Sequence, residues 1–391
     1  MPQPMLKLEQ FRPSFSDDEL DGLKDSLRHA KLPKPTYPSK QEKYGITHEW
    51  MVKAIDRWQN GFDWKKHEDA INEVDHYLTT IEDEGEEYKI HFIYHESKDP
   101  NAIPLMLLHG WPGSAFDFID AVKLLRKSTD PSFHLIVPML PSMGWSSAPP
   151  LDKEFHLEDC GRLLDKLMQG LGFGDGYYIQ GGDIGSGLGR LLAAHYPSCK
   201  AVHFNYIPAP RELPSPNDPR RVGLSEREEH DLARGEEWKV MGKAYGYVHC
   251  TRPATIGIVV GSSPVALLAW LGEKFRDWVD ISLPLDDLLA ICTVWWLRDS
   301  FANSIWAYPD LLDTGISHMH TTPANHLPAT KPFGFSAYPK ELSVMPERWV
   351  KETGDKMVFY RQHDKGGHFP PIEVLEAYVQ DLKDFVKAVK Q

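Results

Sequence analysis

The stretch "YYIQGGDIGSGLGR", residues 177–190, puts an aspartate where a strand turns into a helix. "YYIQ" reads as a buried strand, and a helix is expected from near Ser186 until Pro197 stops it. In Gly181-Gly182-Asp183-Ile184-Gly185, small residues stand two before and two after the centre. That is the pattern of a nucleophile elbow, a sharp strand-to-helix corner that exposes its central side chain. Asp183 occupies the place of the serine in G-x-S-x-G. The competing reading is that its carboxylate only caps the helix.

Three further loops decide between these readings. "HGWPGS", His109–Ser114, follows the strand "LMLL"; its glycines allow close backbone approach, and its N–H groups can face an anion. Glu341 follows "FSAY", and His368 follows "MVFY" within "GGHFP". Oxyanion loop, nucleophile, acid and base therefore come in the order used by α/β-hydrolases, and Asp183 is read as the nucleophile. His363, His318 and His320 compete for the role of base. The two glycines and the proline around His368 suit a catalytic loop better than core packing. Asp364 and Asp355 compete with Glu341, which lies just beyond a separate strand, as an orienter of the histidine should.

A carboxylate nucleophile restricts the chemistry. It attacks a carbon bearing a leaving group and becomes the acyl part of an alkyl ester, which water then cleaves at the aspartate's own carbonyl. The second step needs a general base and backbone N–H donors for the oxyanion. Strained epoxides and alkyl halides are the electrophiles that fit.

The elements that must position these loops follow from texture. Residues 1–88 are rich in proline, charge and tryptophan; they hold a capped helix in "SDDELDGLKDSLRHAKLP" and a further helical stretch in "THEWMVKAIDRWQNGFDWKKHEDAINEVDHYLTTI". This is an N-terminal meander wrapping the core. Residues 89–210 alternate strands and helices, which predicts an α/β fold with a mainly parallel central sheet covered by helices on both faces. Residues 211–324 read as helices and loops, a helical lid insertion in which "LDDLLAICTVWWLRDSFANSIWAYPDLL" is expected to be a strongly apolar helix, and residues 325–391 return to the sheet and close on an amphipathic helix. Ligands of such sheets bind outside the carboxyl ends of the strands, where all four loops lie.

Composition narrows the partners. The chain has 391 residues and a formal net charge of −13, which argues against nucleic acid and anionic membranes. No apolar run approaches the roughly 18 residues that span a bilayer. The first residues resemble neither a signal nor a transit peptide, so a cytoplasmic protein is expected. Cys160, Cys199, Cys250 and Cys292 lie far apart, which signals neither a metal site nor disulfides. No cofactor is expected either, since "GSGLGR" lacks dinucleotide-binding spacing and no P-loop lysine is present.

Five motifs in order, "HGWPGS", "GGDIGSG", "TRPATIG" with "SSPVALLAWLGEKF", "SIWAYPD" and "GGHFP", resemble the microsomal-type epoxide hydrolases, and most of all their soluble fungal members. The resemblance runs from the meander to the closing helix. It implies an α/β-hydrolase that converts epoxides to vicinal diols in detoxification or aromatic hydrocarbon catabolism. Asp183 would be the nucleophile, His368 the base, Glu341 the charge-relay acid, and the backbone N–H groups of Trp111 and Ile184 the oxyanion hole. Many relatives have tryptophan where this chain has Ile184, but only the backbone is used. Two lid tyrosines, Tyr245 and Tyr308, would protonate the epoxide oxygen, with Tyr247 competing for the first place. The implied partners are a small hydrophobic epoxide and water, with a homodimer left open.

Two alternatives are retained. A haloalkane dehalogenase would need indole donors for halide, for which Trp111, Trp295 and Trp296 are candidates, but the meander and paired tyrosines point away from it. A non-catalytic protein binding a small hydrophobe is disfavoured because the nucleophile, base and acid positions are all filled.

Overall fold

The structure is a computed structural model that describes residues 5–215, 217–313 and 315–391. Its nine strands are β1 (Glu9–Phe11), β2 (His76–Asp83), β3 (Glu86–His95), β4 (Ile103–Leu108), β5 (Phe133–Pro138), β6 (Tyr177–Gly181), β7 (Cys199–Phe204), β8 (Phe333–Ala337) and β9 (Met357–Gln362). They form one sheet in the order β1-β2-β3-β5-β4-β6-β7-β8-β9. Strands β4 to β9 pair in parallel, and β1, β2 and β3 are added antiparallel at the β5 side.

The central strands are mostly apolar, and every residue of β5 is buried, as a sheet covered on both faces requires. Consecutive residues of β6 show the two layers. Tyr178 meets Phe385 of the closing helix Leu375–Val389, whereas Ile179 lies beneath Gly189 of the helix Asp183–His195. Neighbouring side chains of a strand point to opposite faces, so these helices cover opposite sides. From β4 the chain passes to β5 on one side and later to β6 on the other. The loops after β4 and β6 therefore border the crevice where strand order reverses.

Between β7 and β8 the chain builds a helical cap. Its charged first helix, Glu226–Met241, starts on a capping box of Ser225 and Glu228, and the helices Ala244–Thr251, Pro253–Gly261, Pro264–Asp277 and Leu285–Leu297 follow. N-terminal helices strap this cap down: Arg57 grips Asp286 through two bonds of 2.8 and 2.6 Å, and the Trp58 indole donates to Thr293 at 3.0 Å. No single helix among the described residues is long and apolar enough to cross a membrane.

Three sequence expectations are corrected. The stretch expected to be helical through Ile81 ends at Ile71, in two helices, His48–Asn60 and Trp64–Ile71, and its tail becomes strand β2. Burial alternates along residues 79–83, which include the β-branched Thr79, Thr80 and Ile81, and a tight turn at Glu84 and Gly85, both at positive φ, folds β2 onto β3. The elbow helix begins at Asp183, three residues before Ser186, because the corner is sharper than its glycines required. The long apolar lid stretch breaks after Leu297, with Asp299 at φ 47.

Candidate active site

Asp183 is the first residue of its helix and sits at φ 49, in the left-handed region that costs a side-chain-bearing residue about 1–2 kcal/mol. The N-cap is Gly182, and no side chain caps there. Instead, Asp183 Oδ1 accepts the Trp111 backbone N–H at 2.8 Å, across from the loop after β4. The carboxylate is thus held by another loop, which is not what a helix cap does. Close approach requires the glycines on both sides. A Cβ on Gly110 would lie 2.3 Å from Asp183 Oδ1, and one on Gly185 would lie 2.4 Å from the Leu108 carbonyl oxygen.

His109 shapes the loop that carries Trp111. Its Nε2 accepts the Leu140 N–H at 3.0 Å, so the proton is on Nδ1, which donates to the Gly110 carbonyl at 3.0 Å. Burial pushes this imidazole down to about 4, which keeps it neutral. Ile184, the second residue of the elbow helix, is buried beside the carboxylate, and its N–H belongs to the first turn that a helix leaves without internal partners.

Loops after β8 and β9 bring the acid and the imidazole. His368 Nδ1 lies 2.6 Å from Glu341 Oε1, and His368 Nε2 stands 3.5 Å from Asp183 Oδ2. Glu341 is fully buried; Oε1 also accepts the Leu342 N–H at 2.7 Å, and its carbonyl accepts from Arg234. The backbone N–H of His368 donates to the Trp278 carbonyl at 2.9 Å, which seats the residue, and its imidazole is flanked edge-on by the Trp278 and Tyr206 rings. Burial works against a charged His368, but the charge of Glu341 and the bond and charge of Asp183 outweigh it, raising the imidazole to about 10. At neutral pH the resting site therefore holds an imidazolium between two carboxylates.

The lid supplies the other wall. Trp111 stacks parallel on Tyr245, with centroids 5.4 Å apart, and meets Tyr308 edge-on at 5.8 Å. The Tyr245 and Tyr308 rings are 6.1 Å apart at 74°, and both line one cavity with Asp183, Ile184 and Tyr206. Burial, reinforced by the negative charge of Asp183, pushes both phenols up, so both stay protonated. Tyr247 also lines this cavity but is 40% exposed, with Lys243 over its ring.

The competing residues are engaged elsewhere. His363 bonds Asp381 at 2.6 Å, His320 lies between Arg190 and Ser186, and His318 is on the lid helix Gly315–Thr321. Asp355 bonds His326, and Asp364 is exposed. The indoles a halide site would use do not converge on Asp183. Trp111 Nε1 donates to Ser304 Oγ at 3.2 Å, and Trp295 lines a different cavity, with Met139 and Ile291.

Residues the sequence reading did not single out complete the site. A second cavity of about 30 Å³ lies on the His368 side of the carboxylate, lined by Asp183, His368, Asn205 and Asp117 among others. Burial raises the Asp117 carboxyl to about 7. Ser114 and Asp117 form a capping box, a spacing visible in the sequence. Asn205 and Tyr206 follow β7 directly, so the strand-end rule would have found them. Trp278, at the end of a lid helix, carries no sequence signal. Among the described residues, no group of three or more His, Cys, Asp or Glu side chains is arranged to hold a metal.

The chain is similar to known proteins along its length. Residues 8–118 match the family model described as epoxide hydrolase N terminus, and residues 103–228 match the alpha/beta hydrolase fold. A putative epoxide hydrolase of the fungus Dothistroma septosporum is 35% identical, over 97% of this chain and 90% of that one. Epoxide hydrolase 1 of Sus scrofa is 31% identical, over 98% and 89%. Among solved structures, the epoxide hydrolase of Aspergillus niger is 42% identical and superposes with a TM-score of 0.89, over 99% of this chain and 98% of that one.

Proposed function

The chain belongs to the epoxide hydrolase family and is an enzyme that hydrolyses epoxides, and we propose that it does so through a covalent ester on Asp183. One observation carries this reading. The Asp183 carboxylate is shared between two cavities, one holding the lid tyrosines and the other holding His368. An electrophile and a hydrolytic water can then reach the same group from different sides.

In the first half-reaction, an Asp183 oxygen attacks an epoxide carbon. As that carbon–oxygen bond breaks, the leaving oxygen takes a proton from a lid tyrosine. Alkoxide is a far stronger base than phenolate, so even phenols raised by burial suit the transfer. The cavity wall, with Ile184, Leu311, Leu312, Ile316 and Leu342, suits a small hydrophobic epoxide.

Ester formation removes the Asp183 charge, one of the two that hold the proton on His368. The imidazole proton can then restore the phenol, leaving His368 neutral and competent as a base. The smaller cavity has room for water, at roughly 10–15 Å³ each. His368 takes a proton from water as its oxygen attacks the Asp183 carbonyl carbon, with the oxyanion forming at the Trp111 and Ile184 N–H groups. Collapse breaks the ester carbon–oxygen bond, the departing alkoxide takes the proton left on the new carboxylic acid to complete the diol, and Asp183 returns as carboxylate with His368 as imidazolium, so protons balance over the cycle. Glu341 orients the imidazole and stabilises its charged form.

The test is turnover of aryl and alkyl epoxides with 1-haloalkanes in parallel. Diol formation without halide release supports the reading; halide release on a comparable timescale contradicts it.

A further inference from the structure

Lys274 is a buried cation that takes no part in these two half-reactions. It belongs to the lid helix Pro264–Asp277 and is 3% exposed. Its Nζ lies 4.5 Å from the centre of the Tyr245 ring, 5.5 Å from Trp270 and 5.9 Å from Trp278. Its ion-pair partner is the neighbouring Glu273, whose side chain is 33% exposed and therefore screened by water. The ammonium faces three aromatic rings while its counter-charge faces out. Lysine is almost never fully buried, and an apolar side chain of similar volume would pack this helix at lower cost.

We infer that Lys274 acts through Tyr245, stabilising the phenolate formed when Tyr245 gives its proton to the epoxide oxygen, and thereby makes Tyr245 rather than Tyr308 the principal donor. This rests on the reading of the lid tyrosines as proton donors. A cation over a neutral phenol is held by the ring quadrupole alone, whereas over a phenolate it meets a full negative charge spread into the same ring. The interaction strengthens as the proton leaves, which is the condition for a contact to accelerate a step.

The two tyrosines differ in this respect. Among the described residues no lysine or arginine lies over the Tyr308 ring, which instead packs against Trp111, Tyr245 and His249. His249 is kept neutral, pushed down to about 3 by burial and by Lys274 itself. In the step, the Tyr245 O–H bond breaks and its proton joins the epoxide oxygen, while the Asp183–carbon bond forms and the epoxide carbon–oxygen bond breaks. Lys274 neither gives nor takes a proton.

The experiment measures alkylation and ester hydrolysis separately, in single turnovers, for the wild type, Lys274→Met, Tyr245→Phe, Tyr308→Phe and the double variants. Lys274→Met is expected to slow alkylation roughly ten- to thirtyfold and leave hydrolysis unchanged, and Lys274→Arg to recover most of the rate. The methionine change should cost its full factor in the Tyr308→Phe background and nothing further in Tyr245→Phe. If Tyr245→Phe does not slow alkylation, the donor reading itself falls. If it does, but Lys274→Met is silent, equally harmful with and without the Tyr245 hydroxyl, or harmful to both half-reactions, the role of Lys274 is overturned. Should the methionine variant fail to fold, Glu273→Gln probes the same charge from a partly exposed group. Releasing the ammonium from its partner should speed alkylation about twofold, and no increase overturns the inference.

Discussion

Nε2 of His368 stands 3.5 Å from Oδ2 of Asp183, so the group proposed to drive ester hydrolysis faces the group proposed to carry the ester. That placement separates the two half-reactions by residue. The first step needs the carboxylate and the lid, whereas the second needs the imidazole and the N–H groups of Trp111 and Ile184.

His368→Gln should therefore still react with epoxide and stop at the ester. Intact-protein mass spectrometry is expected to show the protein heavier by one substrate, stoichiometrically, with turnover abolished. A variant that neither turns over nor becomes labelled contradicts the assignment. Glu341→Gln should be slow but active, because it removes the charge that stabilises the imidazolium and not the base itself.

The charge state of His368 has a consequence for stability. Its folded pKa, raised to about 10, lies above the roughly 6.5 of an unfolded histidine, so between these values the folded protein binds more protons and stability falls as pH rises. The contribution is complete below about pH 6.5 and lost as pH passes through the folded value. Denaturant midpoints of the wild type and His368→Gln, compared from pH 6 to 10, should differ in a pH-dependent way, with the wild type losing stability relative to the variant. A constant difference contradicts the imidazolium.

Gly110→Ala tests the close approach of the oxyanion loop to the nucleophile. The added methyl would overlap the Asp183 carboxylate, whose Oδ1 lies 2.3 Å from that position. Hydrolysis of the ester is expected to fall at least about a hundredfold, the scale of losing one oxyanion-hole donor, with a largely retained melting temperature. Near-normal ester hydrolysis would show that the 2.8 Å contact between Trp111 and Asp183 is not needed.

Much of this site was legible in the sequence because its chemistry lies in short segments directly after strands. Asp183, Glu341 and Trp111 each follow a buried strand, His368 follows the half-buried edge strand β9, and glycines mark where backbones must approach. The strand β2 was misread because helical periodicity was carried past Ile71, although the Glu84-Gly85 turn was there to be read. Lys274 and Trp278 were not legible for a different reason. Their roles come from the fold of the lid over the sheet, and the spacing of a lysine among tryptophans on one helix looks the same whether it faces solvent or a catalytic phenol.

The covalent route is tested most directly by one turnover in heavy-oxygen water with enzyme in excess, followed by weighing the peptide that contains "GGDIGSGLGR". If Asp183 forms the ester and water attacks its carbonyl, the first diol leaves with an unlabelled Asp183 oxygen, and the heavy atom is found in the peptide. If water attacks the epoxide directly, the heavy oxygen appears in the diol and the peptide mass is unchanged, which would contradict the role of Asp183 as nucleophile.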